Sequence, residues 1–284
     1  MRTRRIAFDY PADHLPRHYV NDDLVMSHVV TVLSSLFPEG EDFFVRTVRN
    51  YRDRIADPEL KSQVAGFIGQ EAMHGREHRT FNDRLQSLGY PTRFIDRSTR
   101  FGLGVGEKVL PKSVQLAITA ALEHYTATLA EVLLSDPEAQ AMLDVDEVRS
   151  LFLWHALEES EHKSVAFDVY QTVSGNHLVR AGVMNAVTIG FVAAVIGGTF
   201  LSLLLDPASR DLRRLGRSLR ALRHVPWAKP TVLRRLRDYN RRGFHPDDHD
   251  ATELLQEWRG TLFGSSGVLA GRLKGSGTEL AQAT

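Results

Sequence analysis

The chain contains no cysteine. That absence excludes disulfides, iron–sulfur clusters, zinc–thiolate sites and thiol nucleophiles together, and leaves the carboxylates and twelve histidines as its metal chemistry. Strand signals are scarce, and the N-terminus (MRTRRIAFDYP) is basic but lacks an apolar stretch after its arginines, so no secretory signal is read there and a cytoplasmic setting is expected. Net charge is also missing: the formal sum is zero over 284 residues. The balance hides an asymmetry, because Asp206–Arg242 holds twelve Arg or Lys against three Asp. What is plentiful is apolar content, 43%, enough for a substantial core in one large domain or one domain plus an appendage.

Five regions follow along the chain: an N-terminal lead (1–36), a bundle of four helices (about 37–174), an apolar segment (181–205), a basic segment (206–242) and a polar tail. The bundle is read from apolar residues recurring at alternating steps of three and four, the mark of a helix face packed against other helices. The first seam, opened by Pro38-Glu39-Gly40, runs Glu41, Phe44, Val48, Tyr51, Ile55. The second follows Asp57-Pro58, runs from Leu60 through Glu71, His74 and His78 to Leu88, and is ended by Gly89-Tyr90-Pro91. The third, after Pro111, contains Leu116, Ala120, Glu123 and Ala127. The fourth, after Asp136-Pro137, contains Val148, Phe152, His155, Glu159, His162, Ala166, Val169 and Val173.

Each seam carries an acid where an apolar residue is due, and two of them carry Glu-x-x-His (Glu71/His74 and Glu159/His162). Residues three apart share a helix face, so each pair aims a carboxylate and an imidazole at one point. An ionised carboxylate facing a core costs several kcal/mol or more unless compensated, and two bound cations are the simplest compensation for four of them. A Glu on each of two helices with Glu-x-x-His on each of two others is the ligand order of ferritin-like di-iron and di-manganese proteins. The fold class expected is therefore all-α, a ferritin-like four-helix bundle with additional N- and C-terminal helices, over residues 1–175, followed by apolar and basic amphipathic helices over 176–284.

If the two motif helices are antiparallel, His78 and His155 lie on the same side of the metals, each displaced about 8 Å at the helical rise of about 1.5 Å per residue. His155 is taken as a seventh ligand, with His78 behind the ligands or lining a substrate pocket. Gln70 and Glu158 immediately precede the motif glutamates and are placed to orient His74 and His162 across the bundle, since ligating imidazoles usually donate their second nitrogen to such a group. His124 sits off its seam and is read as an ordinary hydrogen-bonded histidine. Glu161, Glu77, Arg76 and Lys163 are read as outer-face charges.

The stretches FPEGEDFF, FIGQEAMHGREH, LEHYTA and WHALEESEHKSVAFDVY resemble a bacterial family described as predicted metal-dependent hydrolases, a ferritin-like group. The spacing His155-x-x-x-Glu159-x-x-His162 is similar to that of the di-iron arylamine N-oxygenases, where a histidine one turn before the last Glu-x-x-His is an additional ligand. Carried over, that likeness implies Glu41, Glu71, His74, Glu123, His155, Glu159 and His162 as ligands of two iron ions, with manganese as the other metal considered. No catalytic residue apart from the metal ligands is assigned. The likeness also implies an O2-dependent oxidase or oxygenase acting on a small, apolar organic substrate. Two readings stand beside it: hydrolysis by a metal-activated water, and a non-enzymatic iron-storage or membrane-associated role.

Residues 181–205 are uncharged, long enough as a helix to cross about 30 Å of hydrocarbon. Gly182, Ala186, Gly190, Ala194 and Gly198 form a stripe that lets another backbone approach, in a membrane or in a homodimer. Leu212, Leu215, Leu219 and Leu222 make one face of the next helix and Arg213, Arg214, Arg217, Arg220 and Arg223 the other, as in a helix lying on an anionic membrane surface. A simple span with positive residues after it would leave the metal domain outside, so a monotopic or hairpin arrangement at the inner face of the membrane is expected. A helix buried in a larger bundle is the alternative. Nucleic acid is not expected as a partner, since no reading motif or interleaved aromatics accompany the arginines.

Overall fold

The computed structural model describes residues 2–11 and 14–274, and among these there is no strand: the fold is all-α. The helices are α1 (Leu24–Arg49), α2 (Pro58–Ser87), α3 (Thr92–Val109), α4 (Lys112–Ser135), α5 (Pro137–Met142), α6 (Asp146–His162), α7 (Val165–Val173), α8 (His177–Leu204), α9 (Leu212–Ala221), α10 (Pro230–Asp238) and α11 (Thr252–Phe263). Their starts follow local chemistry. Asp57, Asp136, Asn176 and Asp211 each accept from backbone N–H groups of the first turn of α2, α5, α8 and α9, donors that would otherwise lack a partner. Gly89, at φ +91°, turns the chain after α2, a conformation without penalty only for glycine.

Three boundaries differ from the sequence expectation. The first helix does not open at Pro38 but at Leu24, fourteen residues earlier, with Asp23 accepting from Met26 N–H at 2.8 Å. Proline inside a helix deprives the carbonyl four residues back of its donor. Here that carbonyl belongs to Ser34, and the Asn82 side-chain amide of α2 donates to it at 2.8 Å, so the helix continues through the defect. The fourth seam is not one rod but three, α5, α6 and α7. The chain breaks at Leu143, whose carbonyl is taken by Arg149 at 2.6 Å, and again just after His162, where Lys163 turns to Glu131 at 3.0 Å. Finally, α3 fills a stretch to which the periodicity assigned no element, and α11 lies inside the supposed polar tail, with Leu262 and Leu269 buried and Trp258 donating to Leu134 O at 2.9 Å. The tail beyond 274 lies outside the described residues.

Two apolar clusters bracket the middle of the bundle. One joins Phe43, Phe44 and Val48 of α1, Val64 and Phe67 of α2, Leu116 and Ala120 of α4, and Val165, Ala166 and Val169 of α7. The other joins Met26 and Val30 of α1, Phe81 and Leu85 of α2, Ala130 and Leu134 of α4, and Leu151 and Trp154 of α6, closed by Ile6, Phe8 and Tyr19 of the N-terminal segment. Each fully buried Leu or Phe contributes about 1.5–3 kcal/mol. Reading the clusters along each helix shows that α1 and α6–α7 run one way and α2 and α4 the other. In every one of the four, the acid sits between the two clusters, so they meet at a common depth.

The C-terminal part packs on this frame. Met184 of α8 joins Tyr125, Phe167, Tyr239 and Phe244 in a third cluster, and the Arg180 guanidinium is buried among aromatic faces, donating to the carbonyls of Tyr239 and Arg241. The rest of α8 is not buried within the chain: only Arg180, Met184, Thr199 and Ser202 are covered along its 28 residues.

Candidate metal centre

Between the two clusters, Glu41 (α1), Glu71 and His74 (α2), Glu123 (α4) and His155, Glu159 and His162 (α6) are all buried. They gather in two adjacent groups, Glu41/His74/His155 and Glu71/Glu159/His162, each with one ligand atom per residue within 4.8 Å of the others. Glu123 Oε2 adjoins the second group, 3.3 Å from His162 Nε2, and Glu159 Oε1 links the groups, 3.1 Å from His155 Nε2, 3.5 Å from His74 Nδ1 and 3.4 Å from His162 Nε2. All seven residues singled out from the seams thus share one place.

Whether these groups suit cations is decided by their free atoms. Both carboxylate oxygens of Glu41, Glu71 and Glu123, Oε2 of Glu159, Nδ1 of His74 and Nε2 of His162 are buried and accept or donate no hydrogen bond. Glu71 Oε1 and His162 Nε2 approach to 2.9 Å and still form none. Such orphaned acceptors cost about 1–3 kcal/mol each, more when charged, and they crowd together here. The donor set is oxygen and imidazole nitrogen without sulfur, which suits first-row divalent metals such as iron, manganese or zinc.

The imidazole tautomers, assigned from the hydrogen-bond network, agree. His74 Nε2–H donates to Glu158 Oε2 at 3.0 Å, which leaves Nδ1 bare. His162 Nδ1–H donates to Gln70 Oε1 at 3.2 Å, since the Gln70 amide is spent on Glu161 and Arg2 O; Nε2 is bare. For His155 the chain is longer. Ser34 Oγ–H donates to Asn82 Oδ1, so Ser34 Oγ accepts from His78 Nδ1–H, and His78 Nε2 accepts from His155 Nδ1–H at 2.7 Å. His155 Nε2 then carries no proton of its own, yet it stands 3.1 Å from Glu159 Oε1 and 3.6 Å from Glu41 Oε1. Three lone pairs turned toward carboxylate oxygens repel unless a cation lies between them.

Titration behaviour carries the same tension. Burial, reinforced by neighbouring carboxylates, raises Glu41 well above the ordinary carboxylate range, raises Glu71, and pushes Glu123 up to about 8. Burial opposes charge on Glu159 too, but the neighbouring imidazoles of His155, His162 and His74 outweigh it and hold this carboxyl low. His74 is raised to about 10, burial being overcome by Glu158 and Glu159, and His162 is raised as Glu123 and Glu71 overcome burial. Burial and the His74 charge lower His155 to about 4, and burial with His155 lowers His78.

Behind this centre stand residues that the seams did not reveal. Arg4 Nη1 lies 2.9 Å from Glu158 Oε1 and 2.7 Å from Glu161 Oε2, so the N-terminal segment fixes the partner of His74. Glu77, Glu161 and Lys163, read from sequence as outer-face charges, are covered: Phe8 N–H donates to Glu77 at 2.8 Å, Arg4 and Arg259 clasp Glu161, and Lys163 pairs with Glu131. Arg76 is half-exposed, as an outer-face charge should be, yet it holds the Ile6 carbonyl and Glu77. No sequence signal placed residues 4–10 over that face. His124 is buried off the centre, its Nε2 donating to Arg235 O at 3.0 Å, consistent with an ordinary hydrogen-bonded role.

A further acid–histidine group, His18/His28/Asp206, joins the N-terminal segment, α1 and the end of α8. It differs from the centre because nothing in it is bare. Arg214 donates to His18 Nδ1, His18 Nε2–H and His28 Nε2–H donate to Asp206 Oδ2 at 2.9 and 3.0 Å, Arg17 adds a third donor, and His28 Nδ1 meets Ser202 Oγ at 2.6 Å. This is a clamp holding α8 to α1.

Two apolar cavities reach the centre. One, of about 600 Å³, runs past Met26, Leu33, Leu129, Val195 and Trp227 to His155 and Glu159. The other, of about 230 Å³, runs between α3 and α8 past Leu103, Val187 and Ala194 to Glu41, His155 and Glu159. Phe37, Thr126 and Phe191 are common to both. A depression of about 850 Å³ near Asp9, Glu147 and Arg272 shares no residue with the centre.

Among known proteins, no curated protein and no solved structure matches the chain. A family model described as predicted metal-dependent hydrolase matches residues 2–250. That span holds every residue of the centre and both cavities, and the chain therefore belongs to the predicted metal-dependent hydrolase family.

Proposed function

We propose that Glu41, Glu71, His74, Glu123, His155, Glu159 and His162 hold two metal ions, and that the chain is a metal-dependent enzyme acting on an apolar, chain-like substrate. The observation that carries this is the set of bare, buried donor atoms at the inner end of two oily cavities. The family description supports hydrolysis as the reaction, and an ester or amide is the bond we assign to it. Divalent ions bound there would supply Lewis acidity, lowering the pKa of water and polarising a carbonyl. The chain's own part is defined by position. Leu33, Leu129, Val195 and their neighbours bind the apolar body and exclude bulk water, while Glu41, His155 and Glu159 are the centre's ionisable groups facing the cavities. Glu159 lines both cavities at their inner end and is the carboxylate placed to take a proton from water there. The relay Ser34–His78–His155 fixes the His155 ring and its tautomer.

A second reading, O2-dependent oxidation with two iron ions, is favoured by one feature of the walls. Apart from the centre's own residues, the polar side chains lining the cavities are Tyr125, Trp227, Thr126 and Thr99. Trp227 is spent on Leu129 O and Thr126 and Thr99 on helix carbonyls. Beyond the Tyr125 hydroxyl, little is left to protonate a leaving group, a need that oxidation does not share.

Metal analysis of protein purified with its native metals, followed by reconstitution with zinc or with ferrous iron under anaerobic conditions, separates the readings. Turnover of acyl esters with zinc and without O2 supports hydrolysis. O2 consumption by the ferrous form that depends on an apolar organic compound supports oxidation, and O2 uptake tied only to added iron removes both. Glu123→Ala is expected to lose at least one metal, and full stoichiometry in that variant would overturn the ligand assignment.

A further inference from the structure

The larger cavity opens beside an exposed apolar surface. Val192 and Ile196 of α8, 45% and 65% exposed, line it from outside, and Leu222 and Val225, just after α9, form the opposing rim. Ile189, Val192, Ile196, Phe200 and Leu204 repeat every three or four residues and are all exposed, so one stripe of α8 faces outward along most of its length. By length and composition α8 could cross a membrane, with a mean hydropathy of 2.2 over its best window. It is nevertheless fastened to the protein on its other side. Ser202 bonds His28, Asp206 closes the clamp with His18 and Arg17, and a Cβ on Gly198 would stand 2.9 Å from Val32.

α9 continues this surface. Its leucine face is not turned to the core: Leu212 is 77% and Leu219 49% exposed, and Ser218 is its one buried residue. Arg213 and Arg217 of the same helix are exposed and make no ion pair among the described residues. Exposed apolar stripes edged by unpaired arginines match a bilayer with anionic headgroups, which attracts juxtaposed basic residues and accepts the leucines into its acyl boundary. A second copy of the chain fits less well, because a twofold pairing of this face sets one strongly basic 206–242 segment near another.

We infer that α8 and α9 rest on an anionic lipid surface and that the substrate is a long-chain lipid, which passes from the bilayer through the Val192/Ile196–Leu222/Val225 mouth to the metal centre. The surface half of this stands by itself, and the substrate half rests on the function proposed above. Lipid entry from the bilayer explains why the cavity mouth is apolar, since a chain drawn from lipid never has to meet water.

The test uses the full chain and vesicles of phosphatidylcholine, with and without phosphatidylglycerol. Flotation is expected to carry the protein with the anionic vesicles and to weaken at least tenfold in Arg213→Glu/Arg217→Glu and in Ile196→Asp. Circular dichroism and metal content should match the parent, and the arginine pair, on an exposed helix, serves if Ile196→Asp fails to fold. A nitroxide-labelled long-chain fatty acid is expected to quench the fluorescence of Trp227, identified by loss of that signal in Trp227→Phe. Absence of flotation, or flotation that neither variant weakens, overturns the surface assignment, as does a dimer in solution that Ile196→Asp dissociates without any vesicle binding. Flotation without quenching overturns lipid entry. A chain that floats but holds no metal ends the metal-centre reading alone, and one that holds two metals but does not float ends this inference alone.

Discussion

Gly75 and Glu158 show how single residues set the centre. Gly75 lies where α2 comes close to α1: a Cβ there would stand 3.2 Å from Glu41 Oε2, 3.1 Å from Arg79 Nη1 and 3.8 Å from the Pro38 backbone. Glycine within a helix costs about 0.5–1 kcal/mol relative to alanine, and at Gly40, the residue before Glu41, a Cβ meets nothing within 4 Å. Gly40→Ala should therefore raise unfolding stability by about 0.5–1 kcal/mol, whereas Gly75→Ala should gain little because Glu41 must give way. Metal titration of Gly75→Ala should show weaker binding than the parent, and unchanged affinity together with a stability gain equal to that of Gly40→Ala would refute the crowding argument. Glu158 acts from behind. It holds His74 Nε2–H at 3.0 Å and is itself held by Arg4, so Glu158→Gln keeps the shape and removes the charge that makes His74 a stronger donor. Loss of such an outer partner costs about 10–100-fold in metal affinity, and that drop, read by competition with a chelator, is the outcome expected here.

At the scale of the helix, α1 depends on a repair supplied by α2. Pro38 frees the Ser34 carbonyl, and Asn82 satisfies it while also accepting from Ser34 Oγ–H. Asn82→Ala leaves a buried carbonyl unpaired and should cost about 1–3 kcal/mol in denaturant unfolding. In Pro38→Ala the new N–H at position 38 can take that carbonyl, so Asn82→Ala should cost clearly less in this background. Coupling below about 0.5 kcal/mol, the error of additivity for independent sites, would mean that the carbonyl is not what Asn82 serves. The same pair explains why the start of α1 was not legible: proline at a helix start is a strong signal, and the compensating donor sits 48 residues away in sequence. Helices α2 and α4, with their own caps and prolines, were legible nearly to the residue. The fourth seam kept its periodicity across the break after His162 because α6 and α7 both pack along α4. α3 escaped because only Thr92 and Ile95 of it are buried, while Phe94, Phe101 and Val109 are exposed, so it offers no seam to read.

Across the whole molecule, the seven residues at the bundle's centre were legible because seam position fixes depth, and a shared depth brings them together. The outer layer was not, since helical periodicity says which residues face the bundle but not what the chain lays over the other side. Glu77 and Glu161 are examples, covered by an N-terminal segment with no regular structure. The charge gathered at one depth has a global consequence for the metal-free protein. Above pH 6.5, the ordinary histidine value, unfolded chains carry these carboxyls ionised and these histidines neutral. The folded metal-free protein still binds protons there, on Glu123 to about 8, on His74 to about 10, and on His162, raised above the ordinary histidine value. Where the folded state binds more protons, stability falls as pH rises. His78 and His155, both lowered, act with the opposite sign, but only below pH 6.5. Chelator-treated protein should therefore lose thermal stability steadily from pH 6.5 to 8 and beyond, while metal binding, which requires the same groups deprotonated, should release protons and strengthen over the same interval. The stabilisation conferred by metal should be largest at the alkaline end. Thermal melts of metal-free and reconstituted protein across this range, with proton release followed in weakly buffered solution, check both signs, and a metal-free protein whose stability climbs from pH 6.5 to 8 would show that these carboxyls do not share one buried site.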